Sequence, residues 1–269
     1  MEIGDWRLQK PESIGLPTPT MSFVNHYKPT PPKPKPTAPS TEAYRFSFNQ
    51  PFPGVLASPK VKLVPFEPTL HAKIFHSQYT PQTDKYIPVD YTDYGLFLQH
   101  LEDFYSLDEH LLLAVIDRTK PNDGADLEES LAGVVGLLRS APSALSAEMG
   151  PVIILPKFQR THISTHAIGT LLKYVLDMPE EGGIGYRRVY WICDPANAAS
   201  KGAALRMGFK EEGVMRWYRQ VPASKECGVE AGKGRGDGKG IHGLLLAQCW
   251  DDWEDGGREL VERQMSREL

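Results

Sequence analysis

The stretch PKFQRTHISTHAIGTLLKYVLD, Pro156–Asp177, decides how this chain is read. Its second part places Ile163, Ala167, Leu171 and Val175 four residues apart, with Ile168 and Leu172 beside them. That is the spacing of a helix with one buried face. The run just before it, AEMGPVIILP, reads as a strand. Between strand and helix lies a short polar run, Gln159 to Thr165. A strand that passes through such a loop into a helix leaves first-turn N–H groups without intrahelical acceptors. With the helix dipole, those donors make an anion site. Arg160 would add a planar cation, and Thr161, Ser164 and Thr165 would add hydroxyls. The same residues also suit an ordinary helix start with Thr161 as its N-cap. The loop alone does not separate the two.

The whole chain sets bounds on both readings. Its 269 residues, 41% apolar, suit one domain with appendages or two small domains. A net charge of −4 gives no general attraction for nucleic acid or an anionic membrane. No apolar run approaches the roughly 18 to 20 residues of a membrane span. The start, MEIGDWRLQKPESIGL, lacks the basic and then apolar pattern of a secretory signal. Cys193, Cys227 and Cys249 are odd in number and far apart, which argues against a disulfide framework or a zinc cluster. The expectation is a soluble cytoplasmic protein with neither nucleic acid nor membrane as partner.

Two segments stand apart in composition. HYKPTPPKPKPTAPSTE, His26–Glu42, has too many prolines for a helix or a central strand. It reads as a stiff solvated leader, with Pro31 to Pro36 as an alternative ligand for a proline-recognising module. ECGVEAGKGRGDGKGIHG, Glu226–Gly243, has many glycines but neither the spacing nor the flanks of a phosphate-binding loop. It reads as a flexible insertion. Elsewhere VKLVPF, HLLLAVID, LAGVVGLLRS, RRVYWICD, VMRWYRQV and IHGLLLAQCW read as strands. PTLHAKIFHSQYT has helical spacing at Leu70, Ile74 and Phe75, and TDYGLFLQHLEDFYS at Leu96, Phe97, Leu101 and Phe104. RTKPNDGADLEE between two strands reads as a polar turn. The order of elements gives a mixed sheet covered by helices, an α/β or α+β fold.

A second stretch, CDPANAASKGAALRMGFKEEG from Cys193 to Gly213, carries the rest. Asn197, Ser200, Ala204, Gly208 and Phe209 match the signature Asn-x-x-Ser followed by Ala-x-x-x-Gly-Phe. Upstream, Gln159-Arg-Thr-His162-Ile-Ser164 stands where a Gln/Arg-x-x-Gly-x-Gly/Ala motif would. With these two motifs in order, the chain from about Val61 to Val221, plus HGLLLAQCWDDW, resembles the Gcn5-related N-acetyltransferases (GNAT). Within them it is most similar to the RimJ/RimL type. The resemblance implies a mostly antiparallel central sheet with flanking helices and one parallel strand pair that splays into a slot. It implies acetyl-CoA as acyl donor and no metal. The pantetheine arm would pair with the backbone of Val152, Ile153 and Ile154. The pyrophosphate would rest on the Gln159, Arg160, Thr161, His162, Ile163, Ser164 and Thr165 stretch. Domain bounds follow: a leader over 1–58, an acetyltransferase domain over 59–253 with a glycine-rich insertion at 224–241, and a polar C-terminal helix or tail over 254–269.

His162 and Ser164 depart from the motif, because they stand where glycine lets phosphate approach the backbone. His162 either crowds the site or donates to the phosphate. His162 and His166 have a zinc-compatible i, i+4 spacing, but no glutamate follows His162 and no third ligand is apparent.

Acetyl transfer to an amine needs a base, a stabilised carbonyl oxygen and an acid for the leaving thiolate. By the resemblance Glu148 is the candidate base, and its alternative is a strand-edge carboxylate facing solvent. Ser200 is a candidate acid, or a hydrogen bond to the cofactor arm. Asn197 holds the pantetheine or caps its helix, and Tyr218 is a further candidate acid. Cys193 at a strand end allows an acyl-cysteine route, although no activating partner is visible and a buried structural thiol fits as well. Tyr86, Asp90, Tyr91 and Trp217 are candidates for the acceptor pocket. The reading is an N-acetyltransferase for a small amine or amino acid. A protein N-terminus as acceptor and a catalytically altered binding protein are the alternatives. Homodimers are common in this family.

Overall fold

The computed structural model describes residues 28, 35–39 and 47–267. The chain divides into two units, Met1–Pro34 and Lys35–Leu269, and every described element belongs to the second. The proline-rich stretch therefore lies largely outside the described residues.

Short strands β1 (Leu56–Ala57) and β2 (Val61–Pro65) come first. A wide helical turn over Pro68–Ala72 leads into α1 (Lys73–Ser77). The one-turn helix α2 (Pro81–Asp84) begins where Thr80 accepts from the Thr83 amide at 3.3 Å. Asp93 caps α3 (Tyr94–Tyr105) by accepting from the Leu96 amide at 2.9 Å. The apolar face of α3 is Phe97, Leu98, Leu101 and Phe104, with Leu96 only half-buried. Leu70, expected on a buried face, is 53% exposed. The wide turn changes the helical phase there, so spacing counted from an ideal helix misplaces it.

β3 (Leu111–Asp117) is buried along its whole length, as a central strand covered on both faces must be. The expected polar turn after it holds two single helical turns, α4 (Pro121–Gly124) and α5 (Leu127–Ser130). β4 (Leu131–Ala141), β5 (Ser146–Ile154), α6 (Ile163–Leu176) and β6 (Arg188–Cys193) follow. Then come α7 (Ala198–Arg206) and β7 (Lys210–Val221), with Gly208 between them at φ +93°. In the glycine-rich stretch, β8 (Val229–Glu230) pairs with the start of β9 (Lys239–Cys249), and Lys225 and Cys227 are buried. The chain closes with α8 (Trp250–Asp252) and α9 (Arg258–Met265).

The sheet order is β1-β2-β3-β4-β5-β6-β9-β7, with β8 on β9. Every pair is antiparallel except β5–β6. This is the mixed, mostly antiparallel sheet expected. No described helix is long and apolar enough to cross a membrane.

α6 is buried beyond the one face its spacing requires. Ile163, Ala167, Leu171 and Val175 are fully buried, as are Ile168 and Leu172. Each large apolar side chain so placed is worth about 1.5–3 kcal/mol. The extra burial comes from α9, whose Val261 is fully buried and whose Met265 Sδ lies 2.5 Å from where a Cβ on Gly169 would sit. Trp253, also buried, donates from Nε1 to Asp177 Oδ1 at 2.9 Å, and Arg258 pairs with Asp177 at 3.0 Å.

Gly133 marks the closest strand approach. Its φ is +150°, and a Cβ there would lie 2.1 Å from the Ile153 carbonyl oxygen. Gly133→Ala is expected to cost at least about 1–3 kcal/mol in backbone strain alone. A thermal melt reads this directly, and an unchanged melting temperature would contradict the close approach.

Candidate active site

Two strands that start as neighbours and then part make the site. β5 and β6 are in register at Ser146↔Arg188, Ala147↔Val189 and Glu148↔Tyr190, and no further. Beyond Glu148, β5 keeps β4 on one side, with Val135↔Val152, Val134↔Ile153 and Gly133↔Ile154. Among the described residues no strand pairs with its other side. In an antiparallel ladder a strand's N–H and C=O groups point alternately to its two sides, so half of those from Met149 to Ile154 face the gap. An extended ligand backbone could pair with them as a strand would.

Past Ile154 the chain makes a tight turn over Pro156–Phe158 and enters the polar run. Gln159 folds back, Nε2 donating to the Ile154 carbonyl at 3.0 Å. Arg160 is exposed with φ +59°. The N-cap of α6 is His162, not Thr161, and no side chain caps it. The Thr161 hydroxyl instead donates to the Phe158 carbonyl at 2.7 Å and accepts from the Ile163 amide at 3.3 Å. Among the described residues, the amides of Arg160, Thr161, His162, Ser164 and Thr165 meet no hydrogen-bond acceptor. A helix start with several free donors has the chemistry to receive an anion.

His162 has one ring nitrogen engaged at β3. Its Nε2 lies 3.2 Å from Asp117 Oδ1, which also accepts from the Thr119 hydroxyl at 2.6 Å. His166 is buried, with Nδ1 3.0 Å from the Ser58 hydroxyl and Nε2 without a hydrogen-bond partner among the described residues. Burial first, and the nearby His162 second, lower its pKa to about 4. Among the described residues, one group of three potential metal ligands comes together, at Cys249, Asp251 and Asp252. It does not include this histidine pair.

The chemistry-bearing groups gather around a cavity of about 560 Å³ at the β5–β6 opening, lined by Glu148, Val152, Cys193, Asn197, Ser200 and Tyr218 among others. Two bulges place its charged residues. Between Leu138↔Glu148 and Ala141↔Ser146 two β4 residues oppose one β5 residue, and the first of the two, Arg139, has φ +50°. Between Met215↔Gly243 and Arg219↔Ile241 three β7 residues oppose His242, and Trp217 among them has φ +53°. In a regular strand adjacent side chains point to opposite faces. At this bulge Tyr218 and Arg219, adjacent in sequence, both line the cavity.

Arg139 ties the centre together. It donates through Nη1 to Glu148 Oε2 at 2.5 Å and through Nη2 to the Tyr218 hydroxyl. Glu148 is 5% exposed, and burial raises its carboxyl pKa while Arg139 and Arg219 pull it back. It is a buried carboxylate facing a cavity rather than a strand-edge group in solvent. The Tyr218 oxygen accepts from Arg139, so its own proton is free to be donated. The Ser200 hydroxyl accepts from Trp191 Nε1 at 2.9 Å, and Asn197 Oδ1 caps α7 by accepting from the Ser200 amide at 3.1 Å. Burial pushes the Cys193 thiol up, with a hydrogen bond from Ser200 as a partial offset. A thiol held protonated is a poor nucleophile.

The acceptor candidates divide. Tyr86 and Tyr91 line the cavity, the former with its hydroxyl donating to the Ala196 carbonyl at 3.2 Å. Asp90 caps the next turn, accepting from the Thr92 amide at 3.0 Å. Trp217 is 54% exposed and packs edge-on to the His242 ring at 5.5 Å. Neither Asp90 nor Trp217 lines the cavity. Sequence reading missed Arg139 and Arg219. Nothing in local periodicity marks either one, since both reach the site through bulges.

A family model described as an acetyltransferase (GNAT) domain matches residues 60–210. Solved structures of similar fold include a GCN5-related N-acetyltransferase from Brucella melitensis, 22% identical, covering 80% of this chain and 87% of that one at a TM-score of 0.61. A GNAT-family protein from Chromobacterium violaceum is 24% identical and covers 84% of this chain and 100% of that one, TM-score 0.61. RimJ of Mycobacterium smegmatis, solved with CoA-disulfide, is 16% identical and covers 78% and 92% of the two chains, TM-score 0.54. Among curated proteins none matches this sequence significantly.

Proposed function

The chain belongs to the GNAT acetyltransferases, and from that premise we propose that it transfers the acetyl group of acetyl-CoA to the primary amine of a small molecule or amino acid, by direct attack on the thioester. One observation carries the reading. β5 parts from β6 after Glu148 and opens a slot of unpaired backbone directly onto a cavity lined by Glu148 and Tyr218. A volume of about 560 Å³ suits a small acceptor.

The residues present fit acetyl-CoA. The open side of Val152–Ile154 offers backbone donors and acceptors to an amide-bearing arm. The free amides of Arg160, Thr161, His162, Ser164 and Thr165 and the Arg160 guanidinium suit a diphosphate. Asn197 acts through Ser200, holding the start of α7 against the slot.

In the transfer, Glu148 takes a proton from the acceptor ammonium, directly or through water. The amine nitrogen then bonds to the thioester carbonyl carbon and gives up its second proton to solvent, and the carbon–sulfur bond breaks with its electron pair going to sulfur. Tyr218 gives that sulfur a proton and regains one from solvent, to which Glu148 returns its own. Arg139 keeps base and acid in one hydrogen-bonded unit, and Ser200 supports the slot beside Cys193. Much of the rate comes from holding amine and thioester together.

Calorimetric titration with acetyl-CoA tests the slot. The wild type is expected to bind at one saturable site. Arg160→Ala should weaken binding about 10- to 100-fold, the worth of a charge-assisted hydrogen bond. Ser164→Glu should abolish it by setting a carboxylate against the diphosphate. Absence of binding at millimolar acetyl-CoA would remove the transferase reading altogether.

A further inference from the structure

Among the charged groups around the cavity, the acids are largely engaged and one base is not. Glu148 is held by Arg139, and Asp194 Oδ1 accepts from the Ala196 amide at 2.8 Å. Glu109 lies 3.7 Å from His110 Nε2. Arg219 lines the same cavity, and among the described residues it has no acidic partner and donates no hydrogen bond. Its guanidinium instead lies over the Tyr218 ring, 5.5 Å from the centroid. That contact orients the planar fork without using its donors.

The place of Arg219 follows from the β7 bulge. The register shift ends at Arg219, and Tyr218 and Arg219 both line the cavity, so a free guanidinium sits one ring away from the Tyr218–Arg139–Glu148 unit.

We propose that Arg219 selects the acceptor, and that the acceptor is an amine carrying a carboxylate a few bonds from its nitrogen, a free amino acid being the simplest member of the class. The guanidinium fork receives the carboxylate while the ammonium end faces Glu148. This rests on the transferase reading above and narrows it. A zwitterion answers both charged ends of the cavity, whereas a simple amine leaves Arg219 unanswered. Burial at the Glu148 end and exposure at the Arg219 end fit the direction of entry, amine first. The field of Arg219 also reaches the Glu148 carboxyl and opposes the rise that burial causes there.

The test uses the full chain and pairs of probes that differ only at the carboxylate: free amino acids and the same amino acids as carboxamides. Turnover is read as thiol release, beside calorimetric binding of acetyl-CoA to the same preparation. Wild type is expected to favour acids over amides by about 10- to 100-fold in kcat/KM, the worth of one charge-assisted pair. Arg219→Gln should erase that preference, chiefly through KM for the acids. Arg219→Lys should keep part of it, because the charge remains while the two-pronged geometry is lost. A fold defect would lower both probe classes together and leave their ratio unchanged, so the ratio isolates recognition. Equal use of acids and amides by wild type, or a preference unchanged in Arg219→Gln, would overturn the proposal and leave the transferase reading standing. Acetyl-CoA binding with turnover of amides alone, or of neither class, would overturn it too. No acetyl-CoA binding at all would instead remove the transferase reading beneath it.

Discussion

Glu148→Gln is expected to lower kcat with amine acceptors by about 100- to 1,000-fold, within the range that general-base catalysis supplies. The substitution keeps the shape and a hydrogen bond to Arg139 but cannot accept the ammonium proton. Acetyl-CoA affinity should be retained, because Glu148 precedes the open stretch of β5 that would pair with the donor. The pH profile separates a base from a merely structural group. Burial raises the Glu148 carboxyl above its ordinary 4.5, with Arg139 opposing. The working form is the carboxylate, so activity rises with pH through that raised value and is lost as pH falls through it. In Glu148→Gln this acid limb should vanish. A variant with near-wild-type kcat, or with the acid limb intact, would show that Glu148 is not the base. Arg139 would then hold a structural carboxylate, and the wall facing Tyr218 would have to supply the base.

Lys225→Met is expected to cost about 3–5 kcal/mol of stability, as when a buried ion pair loses one partner. The Lys225 and Asp84 side chains are 6% and 9% exposed, and the ammonium pairs with Asp84 Oδ2 and also donates to the Asp84 carbonyl at 3.2 Å. Asp84 Oδ1 accepts from the Tyr79 hydroxyl at 3.0 Å and the Tyr91 amide at 3.1 Å. Without the ammonium, a carboxylate remains where water does not reach it. For a domain of this size each kcal/mol shifts the melting temperature by about 2–4 °C, so a fall of roughly 6–20 °C is expected by calorimetry. Replacing both partners, Asp84→Asn with Lys225→Met, should recover most of it, because the cost lies in the orphaned charge rather than in the pair's net worth. If the single variant melts with the wild type, the pair is not buried in solution. The pair also joins the segment before β8 to the turn that carries Tyr86 and Tyr91. Loosening it should therefore raise KM for the acceptor more than for acetyl-CoA.

How much of this was legible beforehand follows from the range of each interaction. The strand before Gln159, the α6 face from Ile163 to Val175 and the Asn197 cap all depend on neighbours within a few residues, and periodicity displays them. The motif at Asn197, Ser200, Gly208 and Phe209 was legible for the same reason, and it brought the family with it. The apolar run at Leu70 misled, because a widened turn shifted the helical phase in a way no residue count reveals. Thr161 read as the N-cap, and its hydroxyl does accept from the Ile163 amide, but it also bonds one turn back to Phe158 and the cap position falls to His162.

By itself, then, the sequence determined the long strands and helices, their order and the strand–loop–helix around Gln159–Thr165, since backbone geometry and local hydrophobic spacing are short-range properties. Only the tertiary structure decided what stands in the cavity. Arg139 meets Tyr218 across 79 positions and Asp84 meets Lys225 across 141. Two bulges set where the first of these meetings occurs and bring Arg219 beside it. A bulge adds a residue to one strand relative to its neighbour, so it is a property of the pair, and it reverses the alternation that either strand's own sequence would give.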